Sequence, residues 1–165
     1  MESGIGDFLL KLSLGSGMVI LNLGIQVLAL RMIRGYFKRQ GYQSSDYRMP
    51  MEAVLSWRHT KSLAVILLFL FLGHLFQFAT WAGLFVWLGE FSDFGTAFYH
   101  STVNFTSLGY GDIVMSEEWR LLGALEAANG VLMFGITAGL VLAVMTANLQ
   151  RNQAQSRQPG STEGD

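Results

Sequence analysis

Three stretches of the chain carry no charged side chain: Leu12 to Leu30, Ser62 to Gly89 (counting His74 as neutral) and Ala127 to Gln150. Each reaches the ~20 apolar residues that carry a helix across a bilayer. Between the second and third, the run from Phe94 to Phe105 is apolar and aromatic enough to be buried, yet too short to span. Ser92 or Asp93 is placed to cap its N-terminus. The pattern predicts three membrane-spanning helices and a short helix that enters from one side and returns to it. Non-helical backbone after such a helix survives at membrane depth only where protein buries it or water lines it.

The polar segments between these runs set a threading. The segment from Arg31 to Lys61 holds Arg31, Arg34, Lys38, Arg39, Arg48, Arg58 and Lys61. Basic loops stay in the cytoplasm, so this one is expected inside. Glu90 to Arg120 is acidic and is expected outside, as is the N-terminus with Glu2 and Asp7. The tail carries Arg151 and Arg157 and is expected inside. All four agree on N-terminus out, C-terminus in, and a multi-pass protein of the cell membrane. An acidic start and a long apolar run argue against a cleaved signal peptide. Met51 to Trp57 reads as a short helix on the membrane surface, and Arg151 to Asp165, without hydrophobic anchors, as disordered.

Composition narrows the function. Only 14% of the 165 residues are charged, against ~25% in soluble domains, and a chain this short has too little polar surface to enclose three apolar helices. The net charge of -1 argues against a nucleic-acid partner. There is no cysteine, so disulfides and thiolate metal sites are excluded. No metalloprotease, phosphate-loop or triad pattern supports an enzyme, and no small-molecule substrate is indicated.

After the short helix comes Thr106-Ser107-Leu108-Gly109-Tyr110-Gly111-Asp112. This run resembles the selectivity filter of the potassium-channel pore-module family, usually written Thr-Val-Gly-Tyr-Gly-Asp. The resemblance covers roughly Ser62 to Gln150 and leaves an extra N-terminal helix outside it. It implies an all-α membrane protein with three transmembrane helices, a re-entrant pore helix and a filter per subunit. Four chains would form a homotetramer in the lipid bilayer around one pore. Backbone carbonyls of Ser107, Leu108, Gly109 and Tyr110, with the Ser107 hydroxyl, would replace the water shell of the transported potassium ions. Gly109 and Gly111 supply unusual backbone angles without steric cost. Tyr110 would brace the filter and Asp112 would sit at its outer mouth.

Two positions depart from the usual motif: Ser107 stands for threonine and Leu108 for valine. Val103 falls where some family members carry a glutamate bonded to the filter aspartate, so that bond is absent here. Tyr99 falls near an aromatic donor to the same aspartate, and a Tyr99–Asp112 hydrogen bond is expected instead.

In the third span, Gly130 falls at a family hinge glycine, with hinge and close packing both open. Gly130, Phe134, Ala138 and Leu142 lie near one face. If that face lines the pore, Phe134 and Leu142 form an apolar constriction. Gly135 and Gly139 have small-xxx-small spacing and favour helix packing. Glu126 is the one acid inside this span and is expected to support the back of the short helix or the filter, with Thr106 as its partner. His74 is too far along its own helix to pair with Glu126 and reads as a packing residue. In the first span, Asn22 and Gln26 mark a protein-facing stripe on a helix packed outside the pore module. Its basic residues cluster at the inner end, so arginine-based voltage sensing is not expected.

The chain divides into an N-terminal transmembrane helix (1–35), a basic loop (36–61), the pore module (62–150) and a tail (151–165). The function expected is passive, potassium-selective conduction. The alternatives are a weakly selective cation channel, motivated by Ser107 and Leu108, and a non-conducting accessory subunit.

Overall fold

The computed structural model describes residues 2–39 and 57–156. Four helices account for most of them: α1 (Glu2–Arg39), α2 (Trp57–Trp87), α3 (Phe94–Phe105) and α4 (Arg120–Ser156). Among the described residues there is no strand. Three helices are long and apolar enough to cross a membrane, within Gly4–Tyr36, Ala64–Trp87 and Arg120–Gly139. The protein is therefore an integral membrane protein of all-α class. α3 coincides with the short helix expected from its apolar run.

The long helices overrun their uncharged stretches. α1 has 38 residues, ~57 Å at 1.5 Å per residue, against ~30 Å of hydrocarbon. Arg31, Arg34, Lys38 and Arg39 thus belong to the helix rather than to a loop. Likewise, Arg151 to Ser156 continue α4, where disorder was expected. The reason is that Arg, Gln and Ala are good helix formers, and extending an existing helix needs no new nucleus. The surface helix expected at Met51 to Trp57 lies outside the described residues except for Trp57, which opens α2.

α1 packs on both α2 and α4, not against lipid alone. Its buried residues, Lys11, Gly15, Met18, Asn22, Gln26 and Ala29, recur every three or four positions and form one stripe. Contacts along the stripe run in step with α4. Lys11 Nζ lies 5.4 Å over the Trp119 ring, Gly15 meets Leu125, and Gln26 bonds Thr137. The two helices are therefore parallel, with Lys11 near the start of α1 beside the loop that leads into α4. α2 runs the other way, bringing Gly73 to Ala29 and Thr80 to Asn22.

Where the long helices meet α3, Met18, Phe78, Trp81, Phe85, Phe105, Leu122 and Met133 form the buried core. Phe78 carries α3 on α2 through edge contacts with Phe105 at 5.0 Å and Phe98 at 6.4 Å. Lipid tails are as apolar as these side chains, so close packing rather than escape from water holds the helices together.

Candidate functional site

The site is built by the two ends of α3. At its N-terminus, Asp93 is the cap: its Oδ2 accepts from the Thr96 amide at 2.7 Å and the Thr96 hydroxyl at 3.0 Å. The Thr96 amide bond chiefly holds the Asp93 carboxyl below its ordinary value. At the other end Thr106 is the C-cap. The Ser107 amide donates to Asn104 O at 2.9 Å and the Leu108 amide to Val103 O at 3.0 Å. This pair of bonds is a Schellman motif. It needs a left-handed residue just past the cap, usually glycine, and here that residue is Ser107 with φ 58°. A left-handed L-residue costs roughly 1–2 kcal/mol.

The left-handed turn then repeats. Gly109 and Gly111 have φ 57° and 75°, while Leu108 and Tyr110 between them are not left-handed. Positive φ thus recurs at every second residue of the strand from Ser107 to Gly111. Leu108 is 54% and Tyr110 66% exposed, so the described residues leave much of the strand and of the ring expected to brace it open.

Three contacts frame the strand. First, the Tyr99 hydroxyl donates to Asp112 Oδ2 at 2.7 Å, the bond expected from the sequence. This bond is the main reason the Asp112 carboxyl is held low and the Tyr99 phenol is pushed up. Second, Glu90, just past α2, accepts from the Ser116 amide at 2.5 Å and the Ser116 hydroxyl at 2.7 Å, clasping the loop that leads into α4. Third, Glu126 is fully buried on α4 and its Oε2 accepts from Asn104 Nδ2 at 2.8 Å. Asn104 also donates to Gly123 O at 2.7 Å, so one amide ties α3 to α4 twice.

Glu126 therefore does support the back of the short helix, but through Asn104 and not Thr106. The Thr106 hydroxyl turns into its own helix, donating to Thr102 O at 2.8 Å with Val103 O also in reach at 3.2 Å. With helical backbone angles, Thr106 ends α3 rather than beginning the carbonyl column. His74 and Glu126 do not pair, as expected.

Two residues of the face expected to line the pore also make contacts within this chain. A Cβ on Gly130 would overlap the Phe105 carbonyl, so this glycine lets α4 touch the end of α3. Phe134, still exposed, meets Phe105 on α3 edge-on at 5.8 Å and the His74 ring on α2 at a tilt at 4.6 Å. Ala138 and Leu142 are exposed. Gly135 and Gly139 meet nothing in this chain, so their spacing serves no packing within it.

A family model described as "Ion channel" matches residues 63–147, just over half of the chain. The chain belongs to this ion-channel family. No curated protein and no solved structure matches it. The matched region of the channel begins in α2 and ends in α4, so it contains α3, the alternating strand and its three supports. α1 lies outside it and is an addition to the family's pore module.

Two supports of the channel were missed in the sequence. Asn104 was visible as a polar residue in an apolar helix, the signal that drew attention to Glu126. Glu90 and Ser116 lie in loops, where no periodicity marks a contact.

Proposed function

We propose that four copies of this channel subunit assemble around one pore and conduct potassium passively and selectively. The observation that carries this reading is the alternation of φ at Ser107, Gly109 and Gly111 in a Gly-Tyr-Gly-Asp strand anchored at the end of a short helix. Carbonyls of Ser107, Leu108, Gly109 and Tyr110 would replace the ion's hydration shell. One strand offers oxygens from one side only, so a full cage needs several chains in cyclic symmetry, and the exposed Leu108 and Tyr110 are the surfaces those chains would cover. Tyr99 and Asp112 would hold the outer end of the filter, and Asn104 and Glu126 its back. The clustered basic residues at the inner end of α1 support an arrangement with the N-terminus outside and the C-terminus in the cytoplasm.

The test is ion flux through purified protein in liposomes under opposed potassium and sodium gradients. Potassium-selective flux that is lost in Gly109→Ala, which forbids the left-handed backbone there, supports the reading. Equal potassium and sodium flux overturns the selectivity. A silent protein that conducts only with a second chain type makes it an accessory subunit.

A further inference from the structure

Midway along the long helices, four side chains close a ring of hydrogen bonds. Gln26 Nε2 on α1 donates to Thr137 Oγ1 on α4 at 2.8 Å. Thr137 Oγ1 lies 3.3 Å from His74 Nε2 on α2. His74 Nδ1 lies 2.9 Å from Gln77 Oε1. Gln77 Nε2 donates back to Gln26 Oε1 at 3.3 Å and to the Asn22 carbonyl at 3.1 Å.

The Asn22 carbonyl fixes every direction in this ring. It can only accept, so Gln77 turns its nitrogen toward α1 and its oxygen toward His74. Nδ1 must then carry a hydrogen, and in the neutral imidazole Nε2 is left as an acceptor. Thr137 must therefore donate to it while accepting from Gln26. The ring runs head to tail, Gln26 to Thr137 to His74 to Gln77 and back. Bonds in such a chain polarise one another. It joins all three long helices, and α4 enters it through one hydroxyl.

We propose that this ring is a proton-operated coupling, in which protonation of His74 reverses the Thr137 hydroxyl and loosens α4 from α1 and α2. Histidine is the side chain that changes charge near neutral pH. When Nε2 gains a hydrogen, Thr137 must accept from both His74 and Gln26, and its own hydrogen needs a new acceptor. Its own helix supplies one, the carbonyl four residues back at Met133. Threonine bonded that way bends a helix. The added charge has no counter-charge. α1 faces His74 with Asn22 and Gln26, α4 with Thr137 and Phe134, and α2 adds Gln77, all uncharged. Glu126, the nearest acid on α4, is engaged by Asn104 near the filter. An unpaired charge among apolar neighbours favours a state in which the ring opens to water. α1 thus serves as a brace on the pore module, set by the protonation of His74.

The inference rests on the ion-channel reading for its flux readout alone, so it is tested in two ways on the full chain. The first is ¹⁵N NMR of the histidine rings in lipid nanodiscs, with His74→Asn assigning the signal. The hydrogen on Nδ1 at alkaline pH, opposite to the tautomer favoured by free histidine, is expected; a hydrogen on Nε2 overturns the ring. The second is liposome flux between about pH 8 and about pH 5. A several-fold rise on acidification is expected in the parent. It is expected to vanish in His74→Asn and Thr137→Val and to persist in Thr137→Ser, which keeps the hydroxyl. The same rise in all four proteins, or no rise in the parent, overturns the coupling. If no variant conducts at any pH, the conduction reading fails and the NMR tautomer alone decides the ring.

Discussion

The carbonyl of Phe105, at the end of α3, rests directly on the Cα of Gly130 in α4. No side chain fits between them, and the neighbour that would have to move is backbone. Gly130→Ala should therefore destabilise the protein by about 1–3 kcal/mol through overpacking. Gly24 on α1 is the control, because nothing lies within 4 Å of a Cβ there. Gly24→Ala should gain ~0.8–1 kcal/mol of helix propensity. Thermal unfolding in detergent should move the two variants in opposite directions.

The Tyr99–Asp112 bond has a pH window. Asp112 is held low, so its stabilisation is present above its ordinary carboxylate value and is lost as pH falls through the lowered value. Tyr99 is pushed up, so its share is present below the ordinary phenol value and is lost as pH rises through the raised one. Across neutral pH the bond is intact. In Tyr99→Phe the Asp112 carboxyl should titrate at higher pH than in the parent, read by carboxyl NMR. An unchanged titration would show that the bond does not hold the Asp112 carboxyl.

Asn104 is the donor that answers the buried Glu126. Asn104→Leu removes it and leaves a buried carboxyl oxygen without its donor, which should cost about 1–3 kcal/mol. Adding Glu126→Leu to the same chain should recover much of that loss, because the carboxyl that lost its donor is gone. A double variant as unstable as Asn104→Leu would mean that packing, not the orphaned carboxyl, sets the cost.

Ser107 occupies the left-handed position of the Schellman motif. Ser107→Gly should be more stable than Ser107→Ala by roughly 1–2 kcal/mol, since both lack the hydroxyl and only glycine escapes the left-handed strain. Equal stabilities would mean that the hydroxyl, not the backbone angle, governs this position.

Much of this architecture could be read from the residues themselves. The apolar runs located the three spans, and Asp93 with Phe94–Phe105 marked α3 and its cap. The glycines at 109 and 111 announced a backbone that other residues resist. The Tyr99–Asp112 pair was legible because one motif fixed both positions. What could not be read depended on how helices rotate against each other. Gly130 and Phe134 lie on a sequence row that suits a pore, but the row turns as it descends, and their partners are α3 and α2. Thr106 was the partner expected for Glu126, and the twist of α3 presents Asn104 instead. Glu90 and Ser116 lie far apart in loops whose polar residues carry no period.

The Glu90 clasp on Ser116 bears on where this protein can move. It closes the chain from the end of α2 to the approach of α4 into a loop pinned at its neck, with α3 and the Ser107–Gly111 strand slung inside it. Spreading α2 from α4 at this end would tear a bidentate carboxylate from its partners. The opposite ends have no such knot among the described residues. The module is thus a pair of tongs with its rivet at the α3 end, and any wide swing belongs to the far tips.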